Sequence, residues 1–496
     1  MKTLIMLVVI SCLTVCQMQS QWVQQQVPNG LTMLLSIDFS DSANGIAGGY
    51  NAPSLNFTGR IIYTTDGGVN WLPSVVPDSA RSIVTVKLVA PGTAFALGAY
   101  NGSGTSPHPV LKSSHPLAYG YKRYFQLLGI DGTSSYFGFV LKSTDGGQSW
   151  FPLGQLPDSV TYLFGASFVT SMLGYVTGET SQSAGSACVL KTADGGLTWT
   201  VLATPDSVLS LRDICFVDSV SGVAVGYSYG DSTETYGLII RTTDGGVTWK
   251  PKSFPGVNNF VSVSFSSPLV GYASGPSNAD SVSPLRGVVY KTTDGGASWM
   301  EVPVEGTDSI FENYVRFAWG TDVGVMYGIH PTLNSSGDQP LVARTTNGGA
   351  TWMNQTLTGL PPNVILIGGK LLDPVNGYIS GGDVLSTPMI LHTTNGGVDG
   401  VKEKNRNLPN AFHLEQNYPN PFNPITLIKY DLPKSVYVRL TIFDVLGREV
   451  ATLVNELQQP GSKSAKFDGT GVPSGVYFYR LEAGLFSETK KLLLLR

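Results

Sequence analysis

One phrase recurs seven times along this chain: a hydroxyl residue, any residue, Asp or Asn, then Gly-Gly. In six copies a tryptophan closes it: Thr64 to Trp71, Ser143 to Trp150, Thr192 to Trp199, Thr242 to Trp249, Thr292 to Trp299 and Thr345 to Trp352. The seventh, Thr393-Thr394-Asn395-Gly396-Gly397, has no tryptophan. After one long step of 79 residues from Asp66 to Asp145, the central positions follow at steps of 49, 50, 50, 53 and 48. A period near fifty residues belongs to stacked or radially repeated units. Within a period the text is strand and turn, as in Asp213 to Val217, Gly222 to Gly226, Leu238 to Arg241 and a last strand from Trp249. Four short strands per unit predict an all-β propeller blade.

The missing tryptophan bears on closure. Trp22-Val23-Gln24-Gln25-Gln26-Val27-Pro28-Asn29 reads in register with Trp71 to Asp78 and lies 49 residues, one period, before Trp71. The spacing predicts seven blades, with the outer strand of the last supplied from the other end of the chain, which leaves no open sheet edge. The Asp and Asn positions, Asp66, Asp145, Asp194, Asp244, Asp294, Asn347 and Asn395, read as structural. Two glycines permit positive backbone φ, and a carboxylate or amide oxygen accepts nearby N–H groups in an Asx turn. One such group per unit cannot converge on a single substrate, and an amide cannot serve as a general base. The phrase resembles the Asp box (BNR repeat) of sialidases, sortilin-type propellers, tandem-propeller xyloglucanases and photosystem II assembly factors. That resemblance covers about residues 22 to 400 and implies a fold rather than a chemistry.

The ends speak of export. Met1-Lys2 followed by apolar Leu4 to Cys16 has the layout of a secretory signal peptide, here residues 1–20. No other run reaches membrane-spanning length. Beyond the signal, only Cys188 and Cys215 remain, read as buried thiols. Residues 401–496 carry 13 Lys/Arg against 9 Asp/Glu, which leaves the rest of this chain of net charge −4 mildly acidic and argues against a nucleic-acid partner.

After a charged linker, 401–411, the language changes. Asn420-Pro421-Phe422-Asn423-Pro424, the Leu446-Gly447-Arg448-Glu449 hairpin, Gly475-Val476-Tyr477-Phe478-Tyr479 and the basic Lys490-Lys491 predict a small immunoglobulin-like β-sandwich of about seven strands. Residues 412–496 closely resemble the C-terminal sorting domain of type IX (Por) secretion cargo of the Bacteroidetes. The resemblance implies the type IX machinery as partner, and a route through the periplasm to the outer cell surface or the outside.

For a site, the sequence points to loops on the face opposite the boxes, because loops on a rigid scaffold carry binding groups. The longest holds His108, His115, Tyr119, Tyr121, Arg123 and Tyr124, a cluster suited to stacking on sugars or peptides, or to packing the insertion onto the rim. The two histidines lack further ligands at zinc spacing, so neither metal nor cofactor is expected. The expected role is a monomeric extracellular binding or scaffold module for a glycan or protein. The alternative is a glycoside hydrolase or sialidase-like enzyme on the same face, with catalytic residues unknown. Asp38 and Asp213 lie on first strands with nothing to pair them, and Arg81, Arg212 and Arg316 fall in different registers.

Overall fold

The computed structural model describes residues 22–495, except 53–56, 106–133, 155, 158–159, 181–185, 230–234, 278–285, 305–310, 331–338, 356, 358, 362–363, 384–386, 398–410, 434–435, 459–460 and 485. The signal segment, all of the linker except Ala411, and all six candidate residues of the long loop lie outside the described residues. The chain divides into two compact units, Met1–Asp399 and Gly400–Arg496, and every named element in both is a strand.

The first unit contains seven four-stranded antiparallel sheets. Numbered along the chain, sheets 1 to 7 begin with strands Met33–Phe39, Ser82–Ala90, Val160–Phe168, Val208–Phe216, Ser262–Phe265, Phe311–Phe317 and Val364–Leu371. Sheets 1 to 6 take their four strands in chain order. Sheet 7 takes three, and its fourth is Val23–Gln24, paired with Pro388–Thr393 through Val23↔His392 and Gln24↔Leu391.

Each box is a closed local network. In sheet 4 the Thr242 hydroxyl donates to Asp244 Oδ1 (2.7 Å) and accepts from Gly246 N (2.9 Å), while Asp244 Oδ1 accepts from Thr248 N (2.9 Å). Asn347 Oδ1 accepts from Thr345 Oγ1 and Thr351 N in the same way, and Asn395 Oδ1 accepts from Thr393 Oγ1 and Gly397 N. Both glycines of every box sit at positive φ, for example 72° at Gly245 and 87° at Gly246, which a side chain would strain. The closing tryptophan turns its ring edge-on to the aromatic residue that ends the first strand, as in Phe216–Trp249 (6.1 Å) and Phe39–Trp71 (5.8 Å). Trp22 is buried against the core of sheet 7, with its indole beside Gly397 of the seventh box.

Neighbouring sheets are joined by a second repeated device. The tyrosine early in a second strand stacks on the phenylalanine ending the next sheet's first strand: Tyr175 on Phe216 (3.5 Å), Tyr272 on Phe317 (3.6 Å) and Tyr378 on Phe39 (3.7 Å). Its hydroxyl donates to a glycine carbonyl of the next box, Gly245, Gly348 and Gly67 respectively. The basic residue before the second to fifth boxes reaches the same place: Lys142 to Gly195 O, Lys191 to Gly245 O, Arg241 to Gly295 O and Lys291 to Gly348 O. Arg344 of sheet 6 donates instead to Pro374 O of sheet 7. Gln25, just past Val23–Gln24, accepts from Trp71 Nε1 of sheet 1 (2.9 Å).

The second unit has a three-stranded sheet (His413–Leu414, Ile425–Leu432, Gly461–Asp468) and a four-stranded sheet ordered Glu449–Gln458, Val436–Phe443, Gly475–Ala483, Phe486–Leu494. Strict alternation in Gly475–Ala483 buries Tyr477, Tyr479, Leu481 and Ala483 in one core with Phe422, Ile428 and Leu440. Asn420 latches the opening turn to the last strand by accepting from Leu493 N (2.9 Å), and Phe422 bridges to Leu494 between Pro421 and Asn423-Pro424. Gly447, at φ 77°, completes a turn in which Asp444 accepts from the Leu446 and Arg448 amides. Lys490 pairs with Glu488 on the same strand as Lys491.

Candidate functional site

First strands of all seven sheets line one cavity of about 620 Å³. Strand register decides what enters it. In six sheets the first strand ends opposite the first residue of the second, Phe39↔Gly45, Phe168↔Gly174, Phe216↔Gly222, Phe265↔Gly271, Phe317↔Gly324 and Leu371↔Gly377, and the equivalent pair in sheet 2, Leu88↔Ala94, lies just before its strand end. One residue earlier stand seven equivalent side chains, all on the cavity wall. They are acidic Asp38, basic Lys87, Arg316 and Lys370, and small Ser167, Cys215 and Ser264. A bulge just upstream, as between Leu34 and Ser36 or Leu211 and Asp213, resets the alternation. Second-strand glycines make room for it, since a Cβ on Gly49 would meet Met33 O at 1.9 Å.

The charged groups interlock. Asp38 accepts from Lys370 Nζ (2.9 Å) and from Leu88 N of the next sheet (2.9 Å). Burial opposes its charge, but Lys370, Lys87 and these hydrogen bonds prevail and hold its carboxyl below the usual range. Asp213 accepts from Ile214 N (2.9 Å) and Val263 N (3.1 Å) and stands 3.4 Å from Arg316 Nη1. Lys87 is pulled below an ordinary lysine by burial and by Arg316 and Lys370, against the attraction of Asp38 and Asp213. Burial pushes the Cys215 thiol up to about 11 and the Cys188 thiol up to about 12; both are free.

At one end the cavity is floored by Leu35, Val84, Phe164 and Ile367, which pack together from four sheets, with the Arg212 guanidinium over the Phe164 ring at 4.6 Å. The charged positions lie toward the other end, next to the hairpins that follow the first strands. The boxes, which follow the third strands, dock against those hairpins: Gly67 N donates to Ala43 O, Gly195 N to Met172 O and Gly245 N to Val220 O. Apart from Arg212 at the floor, the described charges of the cavity therefore gather at the box end of the first strands, whereas the sequence directed attention to loops at the opposite end. On the wall at the box end, Trp319 is 50% exposed, while the seven tryptophans of the repeat are buried or half-buried.

The structure brings together Asp38, Asp213, Arg212 and Arg316, which the sequence left unpaired, and adds Lys87, Lys370 and Trp319, which it missed. Arg81 goes elsewhere, donating to Phe57 O (3.0 Å). Trp319 was findable: it is the one tryptophan of eight outside the repeated phrase and its N-terminal counterpart. Among the described residues no cluster of His, Cys, Asp or Glu is arranged to hold a metal ion, and no helix is long and apolar enough to cross a membrane.

No curated protein sequence matches the chain. Among solved structures, YCF48 bound to D1 peptide is 15% identical at a TM-score of 0.49, over 76% of this chain and 95% of that one. The GH74 xyloglucanase of Xanthomonas campestris is 12% identical at 0.49, over 83% and 59%. PorZ, a surface component of the type IX secretion system of Porphyromonas gingivalis, is 12% identical at 0.44, over 93% and 59%. Residues 416–495 match the family of secretion system C-terminal sorting domains, so this tail indicates export by type IX secretion to the cell surface or beyond it.

Proposed function

We propose that the chain is an extracellular binding or scaffold module: a seven-bladed β-propeller over residues 21–400, closed by its N-terminal strand, with a linker at 401–411 and a sorting domain at 412–496. The pairing of Val23–Gln24 into sheet 7 supports closure, as does the Tyr378–Phe39 stack, which joins sheet 7 to sheet 1 as Tyr175–Phe216 joins sheet 3 to sheet 4.

The observation that carries binding over catalysis is the condition of the two cavity carboxylates. Glycoside hydrolysis by a carboxyl pair needs one acid kept protonated near neutral pH. Asp38 is held in the opposite direction by two lysines, and Asp213 is engaged by two backbone amides and Arg316. Both serve as staples between neighbouring first strands.

Two experiments test this reading. A reporter fused to residues 409–496 in a type IX-competent bacterium reaches the surface or the medium; retention in the periplasm overturns the export assignment. The purified chain binds ligands on a glycan or protein array without turning over chromogenic glycosides. Turnover abolished by Asp38→Asn or Asp213→Asn overturns the binding assignment.

A further inference from the structure

We propose that the cavity is an anion-accepting well for a carboxylated sugar, whose carboxylate enters among Lys87, Arg316 and Lys370 while Trp319 packs against the sugar ring. The inference rests on the binding-module reading and names its ligand class.

Charge comes first. Around the seven equivalent positions there are three cations and one carboxylate, and Asp213, two residues before Cys215, adds a second carboxylate. Arg212 at the floor is a fourth cation. With Arg212 set aside as engaged over the Phe164 and Tyr227 rings, the wall carries an excess of one positive charge inside a chain of net charge −4. Asp38 is matched by Lys370 and Asp213 by Arg316, but Lys87 makes neither an ion pair nor a hydrogen bond among the described residues. Its cationic neighbours and its burial both work against its charge, and an entering anion relieves both. A structural staple at that position needs only a serine, as Ser167 shows by accepting from Phe216 N of the next sheet (2.9 Å).

Shape and lining narrow the class. A volume of about 620 Å³ falls in the usual range, roughly 300–1,000 Å³, for small-molecule sites. The apolar floor makes it a well rather than a passage, so it suits a compact ligand or the end of a chain. A sugar acid offers an anionic group, hydroxyls and an apolar ring face. The wall offers cations, the hydroxyls of Ser167 and Ser264, and one exposed indole.

Calorimetry on the full chain, at low salt, uses glucuronate, oligoglucuronate, glucose and sodium sulfate as probes. Glucuronate or its oligomers bind and glucose does not. Lys87→Met weakens that binding by about tenfold or more, the scale of one charge-assisted contact. Trp319→Ala weakens uronate binding and leaves sulfate binding unchanged. Lys87 gives up no side-chain hydrogen bond or close ion pair, only a longer-range attraction to Asp38 and Asp213, and Trp319 is exposed, so both variants fold, as circular dichroism checks. The proposal is overturned if uronates fail to bind, if Lys87→Met leaves their affinity intact, or if sulfate and glucuronate bind alike and Trp319→Ala affects neither. Cleavage of a bound glucuronide would overturn the non-catalytic reading and leave the well standing, whereas a reporter retained in the periplasm would overturn only the export route.

Discussion

Two sets of equivalent positions run through the seven sheets, and they treat repetition in opposite ways. At the box, the hydroxyl and Gly-Gly recur in all seven copies, with Asp or Asn between them, and the hydroxyl and the Asp or Asn oxygen find their partners within the phrase. Near the end of the first strand, one equivalent place in the repeat holds Asp, Lys, Ser, Cys, Ser, Arg and Lys. Sameness marks a part that each sheet needs for its own stability. Divergence at a fixed register, on a shared wall, marks a part released from that need.

That contrast can be broken by substitution. Trp249→Ala removes a buried ring packed on Phe216 and destabilises the first unit by about 3–5 kcal/mol, read by chemical denaturation. Thr242→Val keeps the shape but leaves Gly246 N and Asp244 without their buried bridge, at about 1–3 kcal/mol. Lys370→Met strips Asp38 of its ion pair. Lys370 is partly exposed and the Leu88 amide still holds Asp38, so the cost is about 1–2 kcal/mol, with an upward shift of the Asp38 carboxyl measurable by NMR titration. A larger loss at Lys370 than at Trp249 would reverse the assignment of the two sets.

The smallest effect belongs to Asp244→Asn, which leaves the denaturation midpoint at neutral pH unchanged, because Asn347 already accepts from Thr345 and Thr351 in the same way. Its consequence appears in acid. Thr198, Thr248 and Ser298 hold Asp194, Asp244 and Asp294 at about 2, and at Asp145 burial opposes the charge but the combined hydrogen bonds of Ser149, Ser143 and Gln148 prevail to the same end. These carboxyls are depressed from 3.8, so their contribution is complete above about pH 4 and is lost as pH falls toward 2. Replacing all four by Asn flattens acid unfolding in that window; an unchanged acid midpoint would show that the boxes do not govern it.

The boxes were legible in the sequence because their physics is local: Gly-Gly at positive φ, a hydroxyl and an acceptor all lie within five residues. Trp22 was legible for a related reason, since it fills a gap in a countable pattern, and the structure buries it beside Gly397. The cavity was not. Lys87 and Lys370 fall on one wall only once the bulges have reset the alternation and the pairing Leu371↔Gly377 has fixed the end of the strand. Asp38 and Asp213 occupy different registers, so no spacing rule links them. Each instead reaches the backbone fifty residues on, Leu88 and Val263.

The pairing of Val23–Gln24 with Pro388–Thr393 has a consequence in time. The segment that leads the described chain waits for one of the last sheet's strands, so sheet 7 cannot be completed until about 370 intervening residues have emerged. The sorting tail follows that strand in the chain. An address placed there becomes readable only on a molecule that already holds every piece of its own fold.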